Sequence, residues 1–187
     1  MRNGTETREL INAEAMRLFV EKGVHKTSIK NISDAVGVTQ GAIYRHYESK
    51  EALVSTLFVE PWRDFAVRIS EIDGSSIPFR AKIARMVALF CDSFDSNRTL
   101  FALLFLVQHD QMKNLPEGDL NPIDAVKTCI SRAAASGEIA CDDPELATAM
   151  IVGIVLQTAT FKLYDRIPGP MSQNCPTLVD ACLRVIF

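Results

Sequence analysis

The 187-residue chain has no long hydrophobic run. Its two longest uninterrupted apolar runs, 100–107 and 149–156, have eight residues each, whereas about 20 are needed to cross a bilayer. The first residues, 1–8, are polar and lack the apolar core of a secretory signal. These absences argue against a membrane or secreted protein. We therefore expect a cytoplasmic protein with no membrane partner.

The chain is also poor in the patterns that bind metals. It has three histidines and five cysteines, but no C-x-x-C pair and no cluster of histidines near a cysteine. Buried thiols in a reducing compartment account for most of the cysteines, and we expect no metal site and no cofactor. Cys175 and Cys182 are seven residues apart and can share a helix face, which leaves a redox or metal sensor as an alternative.

Common catalytic motifs are missing as well. The sequence contains no glycine-rich phosphate loop, no G-x-S-x-G and no H-E-x-x-H. Its neighbouring carboxylates, such as Asp142 and Asp143, fall in predicted loops or helix caps. We therefore expect no catalytic residues, and we do not expect an enzyme.

The chain is instead rich in helical patterning. Apolar residues recur at helical spacing, and no segment shows the period of two that predicts a strand. Most of the eight prolines and nine glycines stand where helices would start or stop. We predict an all-α fold of about nine helices. Two short helices fall within 27–50, and the other seven helices cover about 6–22, 49–72, 78–94, 97–111, 122–136, 144–166 and 176–186. Pro61 is expected to bend or split the helix that contains it.

Residues 27–50 predict two short helices joined by a tight turn. Ile29, Ile32, Ala35 and Val36 can line one face of the first helix, and Val38, Ile43 and Tyr47 can line the second. Gly37 lies between them, where a helix ends with positive φ. Thr27 and Thr39 are the expected caps, and Ser49 the cap of the next helix. This is the pattern of a helix-turn-helix, which places its second helix in a DNA major groove. A compact helical hairpin without DNA binding is the alternative.

This segment resembles the DNA-binding domain of the TetR (tetracycline-repressor) family of transcriptional regulators. The residues that carry the resemblance are Ile11, Ala15, Leu18, Phe19, Gly23, Thr27, Ser28, Ile29, Ile32, Gly37, Val38, Gly41, Ile43, Tyr44, His46, Tyr47, Ser49, Lys50, Glu51 and Leu53. They span roughly the first quarter to third of the chain. The sequence departs from the family pattern at Glu14, Ser33, Val36 and Tyr47, the last standing where Phe is more common.

The resemblance implies a three-helix DNA-binding domain, predicted as residues 1–50, and a helical effector-binding and dimerisation domain, predicted as 51–187. The charge distribution agrees. Residues 1–50 hold eight Lys/Arg and six Asp/Glu, a net charge of +2, whereas residues 51–187 hold twelve and seventeen, a net charge of −5. A basic surplus on one region is typical of nucleic-acid-binding proteins.

The expected DNA contacts lie in and around the second short helix. Gln40 suits adenine, Arg45 guanine or a phosphate, and Lys30 a base or a phosphate. Small residues at Gly41 and Ala42 would let the helix approach DNA closely. The remaining candidates, expected to contact the DNA backbone, are Thr27, Ser28, Thr39, Tyr44, His46 and Lys50. For Tyr44 a core aromatic, and for His46 a surface cap, is the alternative.

The helix 144–166 is apolar nearly all the way round between residues 146 and 156, so both of its sides need cover. The resembling family forms a four-helix dimer interface from the last two helices of each subunit. The candidates here are Ala149, Gly153, Leu156, Thr160, Leu178, Cys182 and Val185, and a larger monomer core is the alternative.

The resemblance also implies a pocket for a small-molecule effector, with an apolar lining and a few polar groups. The candidates are Trp62, Phe65, Met86, Phe90, Phe101, Phe105, Gln108, His109, Gln157, Phe161 and Tyr164, for which ordinary core positions are the alternative. We predict a homodimeric repressor that binds a palindromic operator and is released by an effector. The alternative is a dimeric helical small-molecule-binding protein, or an enzyme, without sequence-specific DNA binding.

Overall fold

The computed structural model describes residues 4–106 and 119–187, and all regular structure in these two ranges is helical. The elements are α1 (Gly4–Lys22), α2 (Ile29–Val36), α3 (Gln40–Tyr44), α4 (Lys50–Val54), a π-helical turn (Ser55–Val59), α5 (Glu60–Gly74), α6 (Phe79–Ser96), α7 (Arg98–Phe105), α8 (Pro122–Ala135), α9 (Pro144–Leu163), a 3₁₀ turn (Met171–Asn174) and α10 (Cys175–Leu183). The predicted all-α class is confirmed.

The chain divides into two compact units. Unit 1 comprises Met1–Pro61 with Thr99–Leu115, and unit 2 comprises Trp62–Arg98 with Pro116–Phe187. The division falls inside α5, and the segment that begins at Thr99 belongs to unit 1 although it follows α6 in sequence. The boundary at residue 50 stays a prediction.

Unit 1 has an apolar core drawn from all of its helices. The buried members are Ile11, Ala15, Leu18, Phe19, Ile29, Ile32, Ile43, Tyr47, Leu53, Leu57 and Leu103. The periodicity of the sequence anticipated most of them, but the face of α2 differs from the prediction. Ala35 is exposed, and Ser33 is buried in its place. The Ser33 hydroxyl donates to the Lys30 carbonyl, so its polar group is satisfied inside the helix.

The caps of α2 and α3 set the turn between them. Ser28, rather than the predicted Thr27, caps α2 by accepting from the Asn31 N–H, while the Asn31 side chain accepts from the Ser28 N–H. This reciprocal pair satisfies two donors that the helix itself cannot. Gly37 ends α2 with a φ of 74°, a conformation that favours glycine. Thr39 then caps α3 by accepting from the Ala42 N–H, as predicted.

Pro61 follows a widened helical turn. The π-helical segment Ser55–Val59 separates the α-helical stretches before and after it, and the Glu60 N–H donates to the Ser55 carbonyl five residues back. Proline has no N–H and its ring collides with the carbonyl four residues earlier. A π-turn is one of the ways in which a helix accommodates such a break. The predicted disturbance therefore takes the form of a wider turn, and helical structure resumes at Glu60.

A buried carboxylate ties three helices of unit 2 together. Asp73 of α5 accepts a hydrogen bond from Arg132 of α8 at 2.7 Å, and its other oxygen lies 3.3 Å from the ammonium of Lys82 of α6. The Lys82 ammonium also donates to the Asp73 carbonyl. A buried charge is tolerated when it is paired in this way.

Helix α9 begins as predicted, with Asp143 as its cap and Pro144 at its first position. Of the described residues, only this helix has the length and composition of a membrane span, with a mean hydropathy of 1.6 over an 18-residue window of which 33% is buried. One such helix is a weak indication, because core helices of soluble proteins meet the same test. α9 ends at Leu163, three residues before the predicted end, and the buried Lys162 donates to the carbonyls of Pro168 and Gly169.

Candidate functional site

Several polar side chains at α3 and its neighbours are left without a hydrogen bond or an ion pair among the described residues. Lys30, Gln40, Tyr44 and Arg45 are exposed, and Lys50, the first residue of α4, is half-buried. In the two described ranges, none of these five side chains makes a hydrogen bond or an ion pair. Tyr44 is 50% exposed, which places its ring outside the core. These groups are available to a ligand outside the chain.

Other polar groups of unit 1 are already engaged. Thr27 is only 1% exposed, and its hydroxyl donates to the Gly23 carbonyl at 2.9 Å. Its side chain holds the end of α1 against the start of α2 and does not reach the surface. Ser28 and Thr39 are exposed but serve as helix caps, and His46 is half-buried. Of the predicted DNA contacts, Thr27 is therefore the one that the structure places inside the protein.

Gly41 has no structural reason to be glycine in unit 1. It is the second residue of the short helix α3, and glycine favours the helical conformation less than alanine does. A methyl group built at this position meets only the Thr39 hydroxyl oxygen, at 3.9 Å. Both Gly41 and Thr39 are exposed. The space above Gly41 thus stays open on the same side as the free polar groups.

A polar contact that the sequence did not predict fixes the chain after α3. The buried Tyr47 donates its hydroxyl hydrogen to Asn12 Oδ1 on α1, and Arg8 Nε donates to the Tyr47 oxygen at 3.3 Å. The Arg8 guanidinium also lies 5.6 Å from the centroid of the Tyr47 ring. The Tyr47 hydrogen bond raises the pKa of Arg8. The signal in the sequence was Tyr47 itself, which stands where Phe is more common.

The predicted effector residues are distributed over both units. Phe101 and Phe105 belong to unit 1, with ring centroids 4.9 Å apart. In unit 2, Trp62, Phe65, Met86 and Phe90 are buried, and the rings of Phe65 and Phe90 meet edge to face at 4.8 Å.

The remaining effector candidates are scattered. Phe161 is half-buried, whereas Gln157 and Tyr164 are exposed, Tyr164 by 73%. Gln108 and His109 lie outside the described residues. The polar groups of the described set therefore do not line the same interior space as its buried aromatic rings.

Met86 and Phe90 line a small apolar cavity among α6, α8 and α9. Its volume is about 10 Å³, and the other lining residues are Ile83, Val87, Val126, Ile151, Val152 and Val155. These six residues were not among the predicted effector residues, although helical spacing puts Ile83 and Val87 on the same face of α6 as Met86 and Phe90. A second pocket, of about 220 Å³, is lined mainly by polar residues of α5, α8 and the segment before α8, including Asp73, Asn121 and Arg132.

One face of α9 is apolar and exposed. Ala147, Ile151, Val155 and Ala159 are buried in unit 2. The other side of the helix carries Leu146, Ala149, Met150 and Gly153, with Leu146 57% and Met150 48% exposed. We call these four residues the open face of α9.

The predicted dimer residues divide between this face and the core. Ala149 and Gly153 are exposed, and Leu156, Thr160 and Val185 are half-buried. Leu178 and Cys182 are buried within the chain, with Cys182 Sγ 3.8 Å from the Ile151 carbonyl oxygen. In the described part of the chain no three His, Cys, Asp or Glu side chains gather where they could hold a metal ion.

Comparison with known proteins agrees with this geometry. Residues 11–57 match the model of the family described as bacterial regulatory proteins, tetR family. The transcriptional repressor KstR2 of Rhodococcus jostii is 29% identical over 101 residues, which cover 54% of this chain and 48% of KstR2. The fatty acid metabolism regulator protein of Bacillus subtilis is 28% identical over 160 residues, covering 81% of this chain and 80% of that protein.

The fold is shared over a longer stretch. The structure of FadR from Bacillus subtilis, in complex with stearoyl-CoA, superimposes with a TM-score of 0.72 at 20% identity, covering 96% of this chain and 100% of that one. The helix-turn-helix of unit 1 and the helical unit 2 are thus both part of a fold shared with solved regulators. Residues 11–57 thus match the TetR family, and the chain as a whole shares its fold with a solved TetR-family regulator, PfmR of Thermus thermophilus, at a TM-score of 0.70. This confirms the resemblance seen in the sequence, while the match to KstR2 spans only about half of that protein's length.

Proposed function

We propose that the chain is a cytoplasmic repressor that binds an inverted-repeat operator as a homodimer and leaves it when a small molecule binds unit 2. The observation that carries the proposal is the set of polar side chains around α3 that make no hydrogen bond or ion pair with the described part of the chain. Polar groups of this kind are typical of a surface that reads DNA. The names of relatives such as KstR2, a transcriptional repressor, support repression as the sense of regulation.

The proposed contacts divide by role. Gln40, exposed at the start of α3, pairs with an adenine through its amide, and Arg45 reaches a guanine or a phosphate. Lys30 reaches a base or a phosphate, and Tyr44 and Lys50 contact the DNA backbone and set the register. Gly41 and Ala42 allow the backbone of α3 to approach the groove. Ser28, Thr39 and His46 stay in the proposal as backbone contacts, whereas the buried Thr27 supports the site from inside.

Selection of bound duplexes from random DNA tests the DNA-binding part. We expect enrichment of inverted repeats whose half-site centres lie about one helical turn, or a multiple of it, apart. The double variant Gln40→Ala, Arg45→Ala should lose the enriched sequence while keeping the thermal stability of the wild type. If the selected pool shows no common motif, the proposed repressor function is wrong.

The open face of α9 supports the homodimer. Leu146 and Met150 expose apolar surface that a second copy would cover, and the glycine at 153 permits close approach of a second helix. A charge placed there should prevent association, because an unpaired buried charge is costly. We expect Met150→Glu to sediment as a monomer at concentrations where the wild type is a dimer. Ala140→Glu, at an exposed position outside α9, is the matched control, and a monomeric wild type would contradict the proposal.

The apolar lining of the cavity among α6, α8 and α9 favours an apolar effector, such as the acyl chain of a fatty acid derivative. The volume of about 10 Å³ holds at most about one water, so binding requires these helices to separate. The similarity to a fatty acid metabolism regulator supports this class of ligand. The predicted aromatic residues that are buried in unit 2 also remain part of the proposed effector site; they are Trp62, Phe65 and Phe90.

A thermal shift assay tests the effector class. Stearoyl-CoA should raise the melting temperature of the protein, with CoA alone as the control that lacks the acyl chain. A ligand present at 100 times its Kd raises the free energy of unfolding by about 2.7 kcal/mol. The variant Val152→Phe, at a half-buried position of the lining, should reduce the shift. Equal shifts with CoA and stearoyl-CoA would contradict an apolar effector.

A further inference from the structure

Two sets of contacts fix the register between α6 and the segment 171–187, which run antiparallel in unit 2. At one end, the carboxylate of Asp95 accepts hydrogen bonds from the backbone N–H groups of Met171, at 2.6 Å, and Ser172, at 2.9 Å. At the other end, the ring of Phe187 lies edge-on to Phe79, with centroids 6.3 Å apart. The guanidinium of Arg80 lies 3.7 Å from the same Phe187 centroid.

This register places Cys91 opposite Cys175. Along two antiparallel segments, the numbers of facing residues have a nearly constant sum. The contacts at both ends give a sum of 266 or 267. Cys91 and Cys175 satisfy the same relation, one helical turn in from the Asp95 contacts, and both thiols are free. Cys175 is the first residue of α10, which packs directly on α6. Cys175 contributes to the raised pKa of Cys91 and also to that of Cys182, so the pairing with Cys91 rests on the register of the two segments.

We propose that Cys91 and Cys175 form a site of reversible oxidation, at which a peroxide joins α6 to α10 through an intramolecular disulfide. The site is independent of the proposed operator binding. It differs from the pair that the sequence suggested, Cys175 and Cys182.

The geometry of α10 excludes that other pair. Residues seven apart on an intact α-helix are about 10.5 Å apart along its axis, whereas the Cα atoms joined by a disulfide lie within about 7 Å. Cys182 is also fully buried, and its thiol donates a hydrogen bond to the Ile151 carbonyl oxygen, which lies 3.8 Å from the sulfur.

The two thiols have different roles because their exposure differs. Cys175 is half-buried and can meet a peroxide, whereas Cys91 is completely buried. Burial, reinforced by the neighbouring Cys175, raises the pKa of Cys91 to about 12. Cys91 therefore stays protonated at neutral pH and is not the first thiol to react, because the thiolate is the nucleophile.

The reaction has two balanced steps. The Cys175 thiolate attacks one oxygen of hydrogen peroxide, the O–O bond breaks, and the leaving hydroxide becomes water, giving a sulfenic acid. Cys91 then gives its proton to the sulfenic oxygen of Cys175 as its sulfur attacks the Cys175 sulfur, so that an S–S bond forms, the S–O bond breaks and the oxygen leaves as water. Two thiols are oxidised by two electrons in total, and one peroxide is reduced to two waters. A dithiol reductant reverses the change.

Peptide mapping of the full-length protein tests the site. The protein is treated with hydrogen peroxide, its remaining thiols are blocked with N-ethylmaleimide after unfolding, and it is cut with trypsin and endoproteinase Asp-N without reduction. Asp-N is needed because trypsin alone leaves Cys175 and Cys182 in one peptide, whereas cleavage before Asp180 separates them. We expect peptides 86–91 and 167–179 joined, with a mass lower by two hydrogens than their sum, and separated by dithiothreitol.

Cys175→Ser removes the half-buried thiol without touching the core and should abolish the joined peptides. Cys182→Ser is the matched control on the same helix and should leave them unchanged. A wild-type protein in which Cys175 is oxidised while Cys91 still takes up maleimide would overturn the proposal. A cross-link from Cys175 to any other cysteine would do the same. No DNA is present, so either result leaves the operator-binding proposal to its own test.

Discussion

The exposed side of α3 in unit 1 and the open face of α9 in unit 2 are alike in one respect and opposite in another. Each is one side of a helix whose other side is buried, and each contains a glycine, Gly41 or Gly153, where an added methyl group has room. The side of α3 is polar, whereas the face of α9 is apolar.

The difference shows what each surface is suited to bind. A helix interior loses about 0.5–1 kcal/mol at each glycine relative to alanine, and neither glycine repays that loss with a contact inside its own unit. The polar side chains beside Gly41 suit a hydrated, charged partner. The apolar side chains beside Gly153 suit a surface that excludes water. The four predictions that follow test this contrast, from the largest expected effect to the smallest.

The strongest test separates the two sides of α3 itself. Ile43 is completely buried, and Ile43→Ala should lower the free energy of unfolding of unit 1 by about 2–5 kcal/mol, since it leaves a cavity. Arg45→Ala, on the exposed side, should change it by no more than about 0.5 kcal/mol. Urea unfolding followed by circular dichroism measures both. Equal losses would mean that the exposed side contributes to the fold.

The next test concerns base recognition. Gln40→Ala should cost about 1–3 kcal/mol of binding free energy at one base position in each half-site, because a bidentate amide contact is lost. Binding titrations with single-base variants of the selected operator measure the effect. Gln173→Ala, an exposed glutamine of unit 2, is the control. A uniform loss over all operator variants would contradict base reading by Gln40.

The two glycines give a matched pair of substitutions. Gly41→Ala and Gly153→Ala should each stabilise the isolated fold, by about 0.5–1 kcal/mol. Gly41→Ala should also weaken operator binding and leave self-association unchanged. Gly153→Ala should weaken self-association. Its operator binding should fall only in proportion to the loss of dimer. Thermal denaturation, sedimentation and DNA titration distinguish these results, and a loss of stability in either variant would show that the glycine serves the fold.

The smallest effect is electrostatic. Lys50→Ala should weaken binding to many DNA sequences about equally, and it should reduce the slope of log K against log salt by about 1, since one phosphate contact is removed. Lys127→Ala is the control, because that lysine pairs with Glu145 in unit 2 at 3.0 Å. An unchanged slope would remove Lys50 from the contact surface.

Much of unit 1 was predictable because its signals are local. Gly37 indicates a helix end, and Thr39 and Ser49 indicate helix caps, each from the three or four residues around it. The structure places all three as predicted. The choice between Thr27 and Ser28 as the α2 cap was not predictable in this way. Both carry a hydroxyl, and only the packing of α1 on α2 decides which one is buried.

Unit 2 was harder to predict because spacing does not say which face of an apolar helix is covered. The burial of Leu178 and Cys182 depends on the position of α6 and α9, not on the sequence of α10. In the same way, nothing local distinguishes the exposed Tyr164 from the buried Phe90. The pairing of Cys91 with Cys175 follows from a tertiary register that joins residues 84 positions apart, which no local pattern records.

The hydroxyl of Tyr47 has a consequence for how this domain tolerates change. Phenylalanine at position 47 would fill the same volume but leave the Asn12 amide oxygen without its donor, and an apolar residue at position 12 would leave the tyrosine hydroxyl hydrogen without its acceptor. Each single exchange therefore costs the desolvation of an unsatisfied group, whereas the two exchanges together remove both halves of the bond at little cost. Substitutions at positions 12 and 47 are therefore expected to be non-additive, so the two positions tolerate change together better than either does alone.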